Sequence, residues 1–335
     1  MCVIAAKKCK LKNSKKENWF LYKIRDRNYN PKYELEVKDK NGTETLFLTD
    51  HINKWSEGIN SKGLMIVSAA LDNHSDFEDN GQMSDTASVH KKNKDAMIAL
   101  RSAIEAKTIK EAKNILIKDR FVGTSFISDG DKLEILEIYV NDDAYNRESE
   151  KYGRVELEKL NKAEQIIEVM KGIKDDDYDI ASHEVKKDTV AVRTNHGRLL
   201  DKAGYQPEDE DPKGYTSSMF RWKFSKEALE KLGKDAHPFD VLTTLKNLKD
   251  IEKEPQNNPI RIKTPKDKEG KQPYYSTTVV MLTPTGTMFA VPLEDEVDNK
   301  SKLNLKEGRK VDFVLLPKNL PLFESFKTLI YKSLF

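Results

Sequence analysis

Hydrophobic and polar positions follow strand-like patterns in the first fifty residues of the 335-residue chain. Short apolar runs at Val3–Ala6 and Asn18–Ile24 predict two strands. Residues 33–37 alternate between apolar and charged side chains, and Asn41-Gly42 separates them from the extended run Thr43–Leu48. An Asn-Gly pair between two such segments predicts a β-hairpin.

The middle of the chain combines a buried strand, a long polar stretch and two helical patterns. The unbroken apolar run Met65–Leu71 is typical of a strand that is covered on both faces. Residues 72–90 are polar without periodicity, which predicts a long surface loop of the kind often found at binding sites. Helical spacing follows at Ala96, Met97, Leu100 and Ile104, and again at Ala112, Ile115 and Leu116. A second hairpin is predicted over Gly123–Ser128, Asp129-Gly130 and Lys132–Val140.

The remaining elements complete a pattern in which strands come in batches. Helices are predicted near Leu157–Met170, Met219–Leu232 and Phe239–Ile251, and strands at Thr189–Val192, Tyr275–Leu282, Thr287–Val291 and Val311–Leu316. Batches of strands separated by pairs of helices favour an α+β fold with antiparallel sheets rather than repeated βαβ units. We find no compositional break between domains, so the expectation is one domain over residues 1–335.

Composition and charge restrict the functional classes. The chain has 58 basic and 56 acidic residues, a net charge of +2, so it lacks the overall field that nucleic acid or an anionic membrane would require. No apolar run reaches the length of a membrane span, and the lysines from Lys7 onward exclude a signal-peptide core. Two cysteines provide no disulfide framework, and the six histidines lack metal-site spacing. We therefore expect a soluble, cytoplasmic protein without cofactor, metal, membrane span or nucleic-acid partner, and homo-oligomerisation stays open.

The first candidate for chemistry is Cys2, which directly follows Met1. Removal of the initiator methionine would leave a residue that carries both a thiol and a free α-amine. An α-amine with an unperturbed pKa of roughly 8 can act as the base for a nucleophile on its own residue. The alternative is that Cys2 is an ordinary small residue, and Cys9 is expected to have no role.

Five polar stretches lie at predicted strand ends or strand-to-helix junctions: Cys2, Arg25-Asp26, Asn60–Leu64, Arg193–His196 and Ser217–Arg221. In this order and spacing they resemble the N-terminal nucleophile (Ntn) hydrolases of the choloylglycine hydrolase, penicillin V acylase and acyl-coenzyme A:6-aminopenicillanic acid acyltransferase type. Each motif alone is weak, and the ordered set is moderately specific.

The resemblance implies a fold and a set of site residues. The fold is a four-layer αββα sandwich of two antiparallel sheets flanked by helices. Cys2 takes the position of the nucleophile, Asp26 would hold the α-amine, and Arg25 would lower the pKa of the thiol. Asn195 takes the position of an oxyanion donor, and Arg221 that of a late arginine in the site.

The chain departs from that family at two points. Bile salt hydrolases separate the early arginine and aspartate by two residues, whereas Arg25 and Asp26 are adjacent. Arg25 and Arg27 therefore compete for one role, and we favour Arg25. The asparagine that follows the Gly-Leu strand in those enzymes has no clean counterpart, because Asn73 lies about three residues late.

The resulting expectation is a cysteine amidase that hydrolyses a non-peptide C–N amide bond of a small-molecule N-acyl amide through an acyl-enzyme on Cys2. Two alternatives remain: an acyltransferase on the same fold, and a binding or structural member without the chemistry. The sequence does not name the substrate. Specificity is expected to depend on the loops at 25–33, 51–60, 72–90 and 201–216.

Overall fold

The computed structural model describes residues 2–10, 16–27, 33–51, 54–71, 97–151, 174–200, 203, 217–249, 258–260, 275–293 and 310–316. Predictions for the surface loop at 72–90, for Asn73 and for the helix near Leu157–Met170 lie outside these residues. So do the predicted loop at 201–216, apart from residue 203, and most of the segment that precedes the last strands.

Thirteen strands are present in the described part of the chain. In order they are β1 (Cys2–Lys10), β2 (Glu17–Arg27), β3 (Tyr33–Lys40), β4 (Thr43–Asp50), β5 (Ser56–Asn60), β6 (Met65–Ala69), β7 (Gly123–Ser128), β8 (Leu133–Val140), β9 (Tyr178–Glu184), β10 (Val190–Arg193), β11 (Tyr275–Leu282), β12 (Thr287–Pro292) and β13 (Asp312–Leu315). The helices with both ends described are α1 (Ile109–Lys118), α2 (Asp142–Lys151), α3 (Ser217–Lys231) and α4 (Pro238–Asn247). Residues 97–104 are also helical, and Asp175–Asp177 form one 3₁₀ turn.

The strands form two sheets. The six-stranded sheet has the order β10-β1-β2-β11-β12-β13, and the seven-stranded sheet the order β3-β4-β5-β6-β7-β8-β9. Neighbouring strands pair antiparallel with one exception, since β12 and β13 run parallel. The expectation of antiparallel sheets therefore holds except at this edge of the six-stranded sheet.

Local chemistry explains the hairpin between β3 and β4. Asn41 and Gly42 both adopt positive φ angles, 55° and 74°, and Lys40 pairs with Thr43 across the turn. A two-residue loop with two positive φ angles matches the twist of the strands, and asparagine and glycine tolerate that conformation best. The predicted hairpin is confirmed, as is the one formed by β7 and β8.

Three apolar clusters show how the elements pack. One lies between the sheets and includes Ile4, Leu21, Met65, Phe126 and Val280. A second joins the other face of the six-stranded sheet to α3 and α4, and a third joins the other face of the seven-stranded sheet to the helical residues 97–104 and α1. Alternation along β2 determines which cluster each side chain joins. Trp19 and Leu21 belong to the cluster between the sheets, and Tyr22 and Ile24 to the cluster under the helices.

The structure adds elements that the hydrophobic pattern did not predict. Ser56–Asn60 forms β5, although residues 51–60 were expected to be a loop. All five of its residues are buried, including the charged Glu57. This polar segment is therefore an interior strand of the seven-stranded sheet. The edge strand β9 and helix α2 were not predicted either.

Candidate active site

The pairing of β1 with β2 determines what surrounds Cys2. Cys2 stands opposite Arg25, and both side chains lie on the face of the six-stranded sheet that meets the other sheet. Residues two apart on a strand share a face, so Lys23 and Arg27 lie on this side too. The Cys2 side chain is buried, with 6 % of its surface exposed.

Among the described residues, the side chains of Arg27 and Asn195 form hydrogen bonds with Cys2. The Nη1 group of Arg27 donates to the sulfur at 3.7 Å, and the Cys2 nitrogen donates to Oδ1 of Asn195 at 2.9 Å. Asn195 is 193 positions away along the chain, so the fold brings these groups together. Arg25, the residue favoured from the sequence, instead directs its guanidinium to Glu57 at 3.1 Å and to the carbonyl oxygen of Trp55 at 3.2 Å.

The thiol of Cys2 is activated despite its burial. Burial raises the pKa of the thiol, but the positive charges of Lys23, the chain's amino terminus and Arg27 outweigh it and lower the pKa to about 7. The carboxylate of Asp26 opposes them weakly. A pKa near 7 makes about half of the sulfur a thiolate at neutral pH, and the thiolate is the nucleophilic form.

Ion pairs connect the two sheets beside the sulfur. Lys23 pairs with Glu57 of β5 and lies 5.1 Å from the ring centroid of Trp55. Arg27 pairs with Asp50, at the end of β4, through an Nε to Oδ2 bond of 2.6 Å. Burial of charges is costly unless they are paired, so this layer of ion pairs is a candidate for a functional rather than a purely structural arrangement.

The charges of this layer do not balance without Cys2. Among the described residues, the inner face of β2 presents three buried cations, Lys23, Arg25 and Arg27, to two buried carboxylates, Glu57 and Asp50. One positive charge is left over. A thiolate at Cys2 would supply the missing negative charge, which agrees with the lowered pKa of the thiol. Burial also lowers the pKa of Lys23, so a neutral lysine would remove the excess charge as well.

Asn195 lies in the loop that follows β10, and three hydrogen bonds fix its position, the first of them from the Cys2 nitrogen. Its backbone N–H donates to Oγ of Ser218 at 2.9 Å, and Nδ2 donates to the carbonyl oxygen of Ala70 at 2.8 Å. Because Ala70 offers an acceptor and the Cys2 nitrogen a donor, only one orientation of the amide satisfies both contacts. Asn195 therefore orients the Cys2 nitrogen, and its Nδ2 group keeps a second hydrogen.

Neighbouring residues of this loop are part of a buried hydroxyl–imidazole cluster. Nδ1 of His196 lies 3.0 Å from both Thr194 Oγ1 and Ser218 Oγ, and Thr194 Oγ1 donates to the Ser218 carbonyl at 2.9 Å. Burial, together with Arg198, Arg193 and Arg221, lowers the pKa of His196 to about 4. Ser218 thus lies in the first turn of α3 and anchors the loop.

Asp26 and Arg221 meet on the opposite face of β2. The Asp26 carboxylate accepts from Ser276 Oγ at 2.8 Å and pairs with Arg221 of α3 at 3.3 Å. Asp26 lies two residues after Ile24 on β2, so both side chains face the cluster under the helices. Asn195, and not Asp26, accepts the N–H of Cys2 in this structure, although the Asp26 charge is near enough to act on the thiol.

A β-bulge adjusts the strand beside the site. The register between β11 and β2 shifts between Ser276 and Thr278, which leaves Thr277 as the extra residue. Thr277 Oγ1 donates to the carbonyl oxygen of Arg25 at 3.1 Å and lies 2.6 Å from Tyr33 Oη. The Tyr33 ring in turn covers the Arg25 guanidinium, with 4.5 Å between Cζ and the ring centroid.

One of the five polar stretches has a structural explanation. Asn60 donates through Nδ2 to the carbonyl oxygens of Ile104 and Ala106, and its Oδ1 accepts from the N–H groups of Lys62 and Leu64. These four bonds satisfy the side chain and fix the turn between β5 and β6. Asn60 therefore stabilises the fold.

Lys23 is a residue of the candidate site that sequence reasoning missed. A lysine within an apolar run predicts a strand and does not by itself indicate a site. Its position carried a signal, because Lys23 lies two residues before Arg25 and therefore shares a strand face with it. Lys23 is fully buried, and its charge is the largest of those that lower the thiol pKa.

Comparison with known proteins does not identify a family for the chain, so a function must be inferred from the geometry of the site. No protein-family model matches the chain, and no curated protein matches it with significant similarity. Within the residues described above, no helix is long and apolar enough to cross a membrane. The same residues contain no cluster of three or more histidine, cysteine, aspartate or glutamate side chains suited to a metal ion.

Proposed function

We propose that the protein is an N-terminal cysteine amidase that hydrolyses a non-peptide amide C–N bond through an acyl-enzyme on Cys2. One observation carries the proposal: the buried Cys2 sulfur has a pKa lowered to about 7 and contacts Arg27 at 3.7 Å. At Cys9 burial is the largest cause and raises the pKa of the thiol to about 12, although a hydrogen bond with Tyr22 and the charge of Lys7 lower it. Perturbed pKa values of this kind concentrate at functional sites.

The two sheets support the Ntn-hydrolase fold that the proposal requires. They face each other across one apolar cluster, and helices pack on their outer faces. This packing is that of an α+β sandwich, and it supports the proposed four-layer αββα arrangement. Cys2 at the start of β1 and Asn195 just after the adjacent β10 then occupy one end of the six-stranded sheet.

Removal of Met1 converts the Cys2 nitrogen into an α-amine, which can donate and accept protons during the reaction. Its ordinary pKa of roughly 8 lies above that of the thiol, so the pair rests as thiolate and ammonium at neutral pH. The thiolate attacks the amide carbon, and the ammonium gives its proton to the leaving nitrogen as the C–N bond breaks. The neutral amine then accepts a proton from the water that hydrolyses the thioester.

Asn195 and Arg27 assist these steps. Asn195 Oδ1 orients the amine, and the second hydrogen on Nδ2 can be donated to the tetrahedral oxyanion. A single donor of this type is typically worth about 3 kcal/mol of barrier. Arg27 and Lys23 keep the sulfur ionised between turnovers.

The test combines an intact mass with a substrate panel. The mass shows whether Met1 is absent, and N-acyl amides of bile-salt, penicillin, homoserine-lactone and lipid types are assayed beside Cys2→Ala. We expect turnover of at least one class, with none in Cys2→Ala, and an acylated Cys2 after exposure to p-nitrophenyl esters. Hydroxylamine intercepts the acyl-enzyme as a hydroxamate, and the ratio of hydroxamate to free acid measures how the acyl group partitions between an amine acceptor and water. The proposal fails if Cys2→Ala retains turnover, or if neither turnover nor an acyl-Cys2 adduct is found.

A further inference from the structure

A buried glutamate on the seven-stranded sheet closes the loop that carries Asn195. Glu137 lies on β8, and its side chain is fully buried on the face that meets the six-stranded sheet. Its carboxylate reaches residues of the other sheet and of the loop after it. A charge buried to this extent requires strong partners.

Glu137 has such partners at both ends of the loop. Oε1 accepts from Arg193 Nε at 3.1 Å, at the last residue of β10. Oε2 accepts the consecutive backbone N–H groups of Arg198 at 3.0 Å, Leu199 at 2.8 Å and Leu200 at 3.0 Å, and the Arg198 N–H also lies 3.2 Å from Oε1. Three successive N–H groups that converge on one anion form a backbone nest. The carboxylate therefore holds residues 194–197 as a closed loop.

Asn195 lies inside this closed loop. The path of this loop, together with the bonds to Ser218 and Ala70, places the Asn195 backbone where Oδ1 accepts from the Cys2 nitrogen. Glutamine cannot replace the clamp fully, because an amide has one acceptor oxygen: if that oxygen accepts the three backbone N–H groups, the NH₂ group faces the Arg193 guanidinium, which is itself a donor. The geometry is therefore specific to a carboxylate.

We propose that Glu137 is a positioning residue for Cys2, which acts through the loop 194–200 and Asn195 to fix the nitrogen and thereby the sulfur of the nucleophile. The inference rests on the proposed function only in taking Cys2 as the reactive group. It concerns no substrate, so it can be tested before a substrate is known.

The test measures alkylation of Cys2 by iodoacetamide as a function of pH, with peptide mass spectrometry to locate the label. In Glu137→Gln, we expect Cys2 alkylation at pH 7 to slow on the order of tenfold, because a displaced sulfur returns toward an ordinary thiol pKa of about 8.5. Hydrogen exchange of peptide 193–200 should quicken in the same variant. Glu137→Asp keeps the charge on a shorter arm and should give a smaller effect.

The matched control is Glu134→Gln. Glu134 lies on the same strand and forms an ion pair with Lys113 of α1, on the opposite face of the sheet. Its loss should lower the melting temperature and leave the alkylation profile unchanged. This comparison separates positioning from general destabilisation.

A double variant shows whether Glu137 acts through Asn195. Adding Glu137→Gln to Asn195→Ala should slow alkylation no further than Asn195→Ala alone. The inference is overturned if the two effects add, or if Glu137→Gln frees the loop in hydrogen exchange without changing the Cys2 profile. If Glu137→Gln does not fold, Glu137→Asp decides between the same outcomes. A protein that shows these alkylation effects but no amidase turnover would refute the proposed function and leave the role of Glu137 intact.

Discussion

The Nη1 atom of Arg27 lies 3.7 Å from the Cys2 sulfur, and the same guanidinium bonds through Nε to Asp50 at 2.6 Å. Asp50 thus holds the arginine in the position from which it contacts the sulfur. Arg25 stands directly opposite Cys2 in the strand register but is drawn away by Glu57. The ion-pair partners on the seven-stranded sheet, Glu57 and Asp50, therefore determine that Arg27 rather than Arg25 contacts the thiol.

Arg27→Gln should raise the pKa of the Cys2 thiol by about one pH unit, because it removes a nearby positive charge. The measurement is the pH dependence of Cys2 alkylation. Arg101→Gln is the control, since Arg101 pairs with Glu36 at the surface of the seven-stranded sheet, away from Cys2. An unchanged profile in Arg27→Gln would show that the contact has no electrostatic effect.

Lys23→Met should raise the pKa of Cys2 more than Arg27→Gln does, because Lys23 is the strongest of the charges that lower it. Glu57 keeps Arg25 as a partner at 3.1 Å, so the variant should fold. Alkylation of both variants under identical conditions gives the ranking. Lys113→Met breaks the ion pair of the half-buried Lys113 with Glu134 and provides the control for loss of a paired lysine on the other face of the seven-stranded sheet. The opposite ranking would contradict the assignment.

Iodoacetamide should label Cys2 and leave Cys9 unmodified at pH 8. The pKa values of about 7 and about 12 make Cys2 mostly thiolate at this pH, whereas only roughly one Cys9 in ten thousand is ionised. The rate at Cys2 should fall about tenfold between pH 8 and pH 6, because protonation removes the thiolate as pH falls through 7. Peptide mapping locates the label. Cys9→Ser should behave like the unmodified protein, and a label on Cys9 in the folded chain would contradict the prediction.

The stability of the fold should fall as pH drops from about 6.5 toward 4 because of His196. Its pKa in the folded protein is lowered to about 4, so the unfolded chain, with a histidine pKa of about 6.5, binds more protons in this window. The stabilisation is complete above pH 6.5 and is lost at up to about 1.4 kcal/mol per pH unit below it. Urea unfolding at several pH values measures the slope.

His196→Gln should flatten that slope, so the difference in stability between the variant and the original protein shrinks as pH falls. The control is His183→Gln, because His183 is exposed on β9. An equal slope in His196→Gln and the original protein would assign the acid sensitivity to other groups.

Local sequence signals predicted the elements whose stability is local. The Asn41-Gly42 turn and the alternation around it specified the β3–β4 hairpin. The strand Ser56–Asn60 escaped prediction because Glu57 is buried by an ion pair with Lys23, a residue 34 positions earlier in the chain. A single sequence does not show that two distant charges will neutralise each other.

In the candidate site too, local sequence signals indicate some residues, and only long-range packing distinguishes the others. Cys2 and Asn195 could be selected from the sequence by their position at predicted strand ends, and the structure brings them into contact. Alternation could not separate Arg25 from Arg27, because residues two apart share a face of the strand. Their separation depends on Glu57 and Asp50, which only the packing of the two sheets reveals.

The layer of buried charges couples the sulfur to Lys23. Among the described residues of this layer, Lys23, Arg25 and Arg27 face two carboxylates, so a thiolate at Cys2 would offset the excess cation. Burial lowers the pKa of Lys23, so loss of the lysine proton would offset it as well. A thioester or thioether on Cys2 removes the charge of the sulfur and should therefore shift Lys23 toward its neutral amine.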